Sequence, residues 1–181
     1  MMSKSKDTRS LGRLDGFKLG WLRDSLFFIA AIVVFVIVFR FVIGLSVVGG
    51  ASMDPTLKDG DVVVYLRVVR NYERGDVVAM RVPSGDFYIK RVAATGGQTV
   101  DIYDGKLHLD GAEVPDGHAN GVTEEETGAV IYPYKVRDGN VFVLGDNRAV
   151  SKDSRMFGEV NLRQIKGRVF LMINKEGITR F

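Results

Sequence analysis

Ser52 stands among Gly49, Gly50, Ala51, Met53, Asp54, Pro55 and Thr56, a run of small residues closed by a turn-forming proline. Small neighbours leave room for a substrate backbone to pass close, and Met53 and Pro55 are expected to form an apolar ledge beside it. A serine hydroxyl is a weak nucleophile at neutral pH, so this chemistry requires a general base elsewhere in the chain. Lys90, in Tyr88, Ile89, Lys90, Arg91, Val92, is the candidate. A lysine near its reference pKa of about 10.4 is no base at pH 7 to 8. It becomes one if burial lowers that value by about two to three units, at a cost of about 3 to 4 kcal/mol. On an extended segment Tyr88, Lys90 and Val92 share one face, so Lys90 is flanked by an aromatic and a β-branched residue that can desolvate it. The plainer alternatives are a surface lysine on an edge strand and a serine in an ordinary turn before Pro55.

Other nucleophile chemistries are poorly served. The chain has no cysteine, which excludes a thiolate nucleophile, a thiolate zinc site and disulfide stapling, and its two histidines are too few for a three-histidine metal site. No metal or cofactor is expected. A Ser/His/Asp triad would have to use His108, between Leu107 and Leu109, or His118, in a polar loop, and neither lies near Ser52 or Lys90 in the sequence.

Short β-branched runs split by glycine turns predict strands over Asp61 to Leu66, Asp76 to Val82, Phe87 to Ala94, Thr99 to Tyr103, Val130 to Val136, Asn140 to Leu144 and Arg168 to Ile173, an antiparallel β fold. Asp104-Gly105 predicts a type I′ hairpin turn, which needs positive φ at both central residues. Residues 115 to 128, with Pro115, three glycines and Glu124, Glu125 and Glu126, read as a solvated loop. A first strand over Leu45 to Gly49 would lead into the serine.

Ahead of these strands, Ser25 to Phe39 is uncharged over 15 residues. As a helix that run rises only about 22 Å against a hydrocarbon core of about 30 Å. Trp21 and Leu22 extend it on one side, and Phe41 to Ile43 on the other if Arg40 snorkels, giving a span over 22–43. Residues 1 to 24 hold six basic residues against three acidic ones, whereas beyond Arg40 the count is 18 basic to 19 acidic. The basic flank predicts a cytoplasmic N-terminus and an exported remainder. The near-balanced remainder gives no basic face for nucleic acid. A cleavable signal peptide is the competing reading, with Gly49 and Ala51 spaced like a cleavage site, but Arg40 interrupts the run and cleavage would sever Ser52 from its anchor. Self-cleavage near Ala51 stays open.

The serine box, followed by Leu57, Gly60, Asp61, Val63 and Val64, then Arg74 to Val78, Tyr88 to Val92 with Gly96 and Gly97, and Gly145, Asp146, Asn147, Arg148, Ser151, Asp153, Ser154, Arg155 and Gly158, resembles the ordered boxes of the bacterial type I signal peptidases. The resemblance covers Gly49 to Gly158. It implies a mainly β protein: a cytoplasmic tail over 1–21, one transmembrane anchor over 22–43, and an extracytoplasmic antiparallel β peptidase domain over 44–181 with a small β insertion at about 95–139. By that resemblance Ser52 is the nucleophile, Lys90 the base and the Ser52 amide an oxyanion donor. Ser151 would hydrogen-bond the Lys90 amine and hold it toward Ser52, with Asp153 and Arg155 paired as a brace and Arg91 nearby. Asp146, Asn147 and Arg148 are read as structural. The chain departs from the pattern at Gly50, where some members carry a second serine for the oxyanion, and at Ala149, where an acidic residue often follows the arginine. The implied substrates are exported preproteins cut after an Ala-X-Ala site at the bilayer surface, without a cofactor. A specialised pilin or secreted-partner processing enzyme and a catalytically silent binding module are the alternatives.

Overall fold

The computed structural model describes residues 11–82, 85–126 and 130–181. They form two compact units that divide after Phe41.

The first unit is helix α1, Leu11–Ile37, which passes into a short π-helical stretch at Val38–Val42. Gly20–Val42 is 23 residues long with mean hydropathy 2.8, and none of its strongest apolar window is buried within the protein. At 1.5 Å per residue it rises about 34 Å, long enough to cross a bilayer. Trp21, Phe27, Phe28, Ile32 and Phe35 are all exposed, so the helix is apolar around its circumference and has no protein core to fill.

The second unit is built from β1 (Ile43–Val47), β2 (Val62–Leu66), β3 (Val77–Arg81), β4 (Phe87–Thr95), β5 (Thr99–Tyr103), β6 (Lys106–Leu109), β7 (Ala112–Glu113), β8 (Tyr134–Lys135), β9 (Asn140–Leu144), β10 (Val160–Asn161), β11 (Ile165–Asn174) and β12 (Gly177–Arg180), with one helical turn, α2 (Ser154–Phe157). The larger sheet runs β1-β2-β11-β3-β4-β9-β10, with β12 on β11, and the smaller runs β7-β6-β5-β8. The named strand pairs are antiparallel. The smaller sheet arises from Thr99 to Lys135, between β4 and β9 of the larger.

Local chemistry accounts for most of these elements. Asp104 (φ 53°) and Gly105 (φ 72°) both have positive φ, as the β5–β6 hairpin turn demands. β4 is hydrogen-bonded to β3 along Phe87–Arg91, but β9 covers it only from Arg91 to Thr95. Among the described strands, Phe87 to Lys90 therefore keep one backbone edge unpaired.

β4 is buried on both faces. Ile89 joins Val48, Met53, Leu57, Val63, Val77, Ala79 and Met172 in one core cluster, and Val92 joins Val78, Met80, Val141, Val143 and Ile165 in another. Two expectations change here. The strand expected over Val130 to Val136 is only Tyr134–Lys135, and residues 127 and 128, the end of the loop expected over 115 to 128, lie outside the described residues. The loop expected to be solvated is instead tied down at several points: Thr123 is buried, Asp116 pairs with Arg148, and Asn120 bridges Asn147.

Candidate active site

The turn that carries Ser52 is fixed by its neighbours on both sides. Met53 and Leu57 are wholly buried, anchoring the turn in the core, and Leu57 N–H donates to the Met53 carbonyl at 2.9 Å. Gly50 adopts φ +81°, a left-handed conformation that favours glycine, and its N–H donates to Asp59 Oδ1 at 2.7 Å. The backbone needs glycine at that position, so the departure from a serine there has a conformational basis.

Lys90 reaches this turn from the middle of β4. Its Nζ lies 2.6 Å from Ser52 Oγ, to which it donates, and 5.4 Å from the centre of the Tyr88 ring. Only 2% of Lys90 is exposed. Burial lowers its pKa from the ordinary 10.5 to about 8, against the opposing pull of Asp153 and Asp146. Among the described residues no carboxylate touches the amine, which donates instead to a hydroxyl. Tyr88 in turn stacks on Phe157 of α2, with ring centres 6.3 Å apart.

A narrow cleft of about 40 Å³ ends at this pair, between Val47 to Gly49 and Phe87 to Lys90, with Met53 in its lining. Met53 is 1% exposed, so it is a core anchor beneath the cleft rather than the open ledge expected of it. Pro55 is exposed and lines a different groove, with Thr56 and residues 117–120. A separate cavity of about 260 Å³ lies away from Ser52 and Lys90, among Arg74, Arg91, Asp116 and Arg148.

The loop after β9 closes the site from the other side. Asn147 N–H donates to the Ser52 carbonyl at 3.1 Å. A Cβ on Gly145 would lie 2.4 Å from the Ser52 carbonyl oxygen and 2.1 Å from Ser151 Oγ, so only glycine permits this approach. Ser151 is buried, but its hydroxyl has no hydrogen-bond partner among the described residues. The bond expected between Ser151 and the Lys90 amine is therefore not made here: the hydroxyl packs on Gly145, while the amine is taken up by Ser52.

Three buried guanidinium groups brace that loop. Arg91 forms a bidentate pair with Asp146 at 2.8 and 2.7 Å and donates to the Gly75 carbonyl at 2.8 Å. Arg155 pairs with Asp153 at 2.9 Å. Burial works against the Arg155 charge, but the hydrogen bond and charge of Asp153 outweigh it, so its pKa is raised. Asp153 also caps α2 and accepts from Gly145 N–H at 3.0 Å. Arg148, which is followed by Ala149 and not by an acidic residue, takes Asp116 as its carboxylate partner at 2.5 Å. Asp146 thus does more than form a turn, and Asp116 and Thr123 were not anticipated. Only the acidic and hydroxyl character of that loop hinted at them.

Neither His108 nor His118 lines the cleft of Ser52 and Lys90, although His118 shares the outer groove with Pro55 and Thr56. His108 is buried against Tyr103, ring centres 3.6 Å apart, and His118 is exposed.

A β-sheet peptidase with a serine nucleophile is the class to which comparison with known proteins leads. Residues 20–174 match the family described as signal peptidase, peptidase S26. The chain is 35% identical over 156 residues to signal peptidase IB of Staphylococcus aureus strain COL, covering 77% of this chain and 82% of that protein. It is also 35% identical over 153 residues to signal peptidase I of Bacillus licheniformis, covering 77% and 81%. A crystal structure of a signal peptidase I from Enterococcus faecalis V583 shares 29% identity, covers 55% of this chain and 97% of its own, and has a TM-score of 0.49. The chain belongs to the signal peptidase family, peptidase S26. It is a serine endopeptidase of the type that removes signal peptides from exported preproteins, and its apolar N-terminal helix fits membrane anchoring.

Proposed function

We propose that cleavage proceeds by a Ser52–Lys90 dyad acting on preproteins after an Ala-X-Ala site, with no metal or other cofactor. The observation that carries this reading is the 2.6 Å contact between the Ser52 hydroxyl and a buried amine that meets no carboxylate among the described residues. Neutral Lys90 takes the hydroxyl proton as Ser52 Oγ attacks the scissile carbonyl. The Ser52 amide is the proposed donor to the developing oxyanion. Lys90 then passes its proton to the leaving amine, which frees the mature chain. A water deprotonated by Lys90 hydrolyses the acyl-enzyme and releases the signal peptide.

The free edge of Phe87 to Lys90 offers backbone groups to an extended substrate, which would add as a strand there. The cleft beside it holds about 40 Å³, which suits alanine-sized side chains. Arg91, Asp153 and Arg155 serve this reading as braces of the loop, and Ser151 as a packing partner of Gly145 close to the nucleophile. The basic N-terminal flank supports a reading with the tail in the cytoplasm, the helix in the lipid bilayer and the peptidase unit outside. No nucleic-acid partner is proposed.

The test is cleavage of an Ala-X-Ala preprotein by the detergent-solubilised full chain beside folded Ser52→Ala and Lys90→Ala variants. Cleavage after the last alanine by the parent only is the expected result. Turnover persisting in both variants would remove the dyad.

A further inference from the structure

Residues 116–124 run between β7 and β8, outside either sheet, yet they are bonded to the loop that holds the nucleophile. The middle of that loop behaves as a short strand with two used edges. On one edge Asn120 N–H donates to the Asp146 carbonyl at 2.7 Å and Arg148 N–H donates to the Asn120 carbonyl at 3.0 Å. On the other, Asn147 N–H donates to the Ser52 carbonyl at 3.1 Å. Side chains reinforce the first edge. Arg148, 3% exposed, donates to Thr123 Oγ1, to Asp116 Oδ2 at 2.5 Å and to the Gly145 carbonyl at 2.9 Å. Arg155 spans both segments, donating to the Arg148 carbonyl at 2.7 Å and to the Glu124 carbonyl at 3.3 Å. At its far end the strap is held by Thr123 N–H on the Gly105 carbonyl at 3.0 Å, in the turn of the β5–β6 hairpin.

We propose that Asp116 and Thr123 are positioning residues for catalysis: through Arg148 they hold the 146–148 segment against the Ser52 carbonyl and so aim the serine at Lys90. The peptide group after Ser52 is planar, so fixing its carbonyl fixes ψ of Ser52 and with it the direction of the Cα–Cβ bond. A hydroxyl that must sit within hydrogen-bond reach of its base tolerates little error there. Removing either anchor leaves a buried guanidinium short of a partner, and the loop relaxes toward whatever acceptor it can find. The smaller sheet then has a catalytic purpose, because it presents the strap. The proposal rests on the reading of Ser52 as nucleophile.

The experiment compares kcat and KM of the full-length, detergent-solubilised protein on one preprotein for Asp116→Asn, Thr123→Val, Thr123→Ser and Ser52→Ala, each normalised to its folded fraction. Thr123→Val and Asp116→Asn are expected to lose kcat by about ten- to a hundredfold with KM unchanged, the signature of misplacement rather than lost binding. Thr123→Ser, which restores the hydroxyl acceptor, is expected to recover the parent kcat. If Asp116→Asn does not fold, the Thr123→Val and Thr123→Ser pair decides. Parent-like kcat in folded Thr123→Val, or a rise in KM alone, overturns the role of the strap even with Ser52→Ala inactive. An active Ser52→Ala overturns instead the reading beneath it.

Discussion

Lys90 and Arg91 are consecutive on β4 and nearly equally buried, at 2% and 8% exposure, but the protein treats their charges in opposite ways. Arg91 faces the loop after β9 and is met there by both oxygens of Asp146. Lys90 faces the cleft and is met by a hydroxyl. A buried cation with a bidentate carboxylate stays charged and ties two elements together, whereas one without a carboxylate contact is pushed toward its neutral form. The same alternation continues around the site, where Arg148 and Arg155 each hold a carboxylate. The scaffold thus gives these three buried guanidinium groups carboxylate partners and leaves the Lys90 amine without one among the described residues.

That contrast is broken most severely by Lys90→Met, which keeps the volume of the side chain and removes the amine proposed as the base. Turnover is expected to fall by about 10² to 10⁴-fold, read as kcat on a preprotein. Next comes Asp146→Ala, which strands Arg91 as a buried charge. It is expected to destabilise the peptidase unit by about 3 to 5 kcal/mol, measured by denaturant unfolding of the folded chain.

The pH dependence sharpens the same distinction. The folded pKa of Lys90, about 8, lies below its ordinary 10.5. Between those values the folded state binds fewer protons than the unfolded, so stability from this group rises with pH from about 8 to 10.5, by about 3 kcal/mol in all. Below pH 8 the cost of burying the charge is fully present. Lys90→Met is therefore expected to stabilise the fold at pH 7 by about 1 to 3 kcal/mol, a gain that shrinks as pH rises, while the parent's kcat/KM, which reports the free enzyme, climbs with pH toward a plateau above about 8. A pH-independent difference between the two proteins would mean that the amine is not desolvated. The smallest effect belongs to Glu113→Gln: the Lys106–Glu113 pair is exposed on both sides, and its loss is expected to leave the unfolding midpoint unchanged.

How much of this was legible beforehand depended on range. The apolar run to Val42, the strands from Val62 to Tyr103 and the positive-φ turn at Asp104-Gly105 are local signals, and each lies within a few residues of its expected place. The burial of Lys90 followed from Tyr88 and Val92 on its own face of β4. Met53 was legible as apolar but not as inward-pointing, because nothing in a turn sequence states which way it faces.

The sequence by itself therefore determined a membrane-length helix, a set of antiparallel strands, and a serine and a lysine of the right chemical character. Those properties depend on periodicity, length and residue type, which are written in neighbouring positions. Only the tertiary structure decided that Arg91 meets Asp146 across 55 positions, that Ser151 rests on Gly145 instead of the lysine, and that Asp116 and Thr123 reach the loop behind Ser52. Such contacts depend on where whole strands and loops come to lie, and a side chain's partner is then set by the packing of elements far apart in the chain.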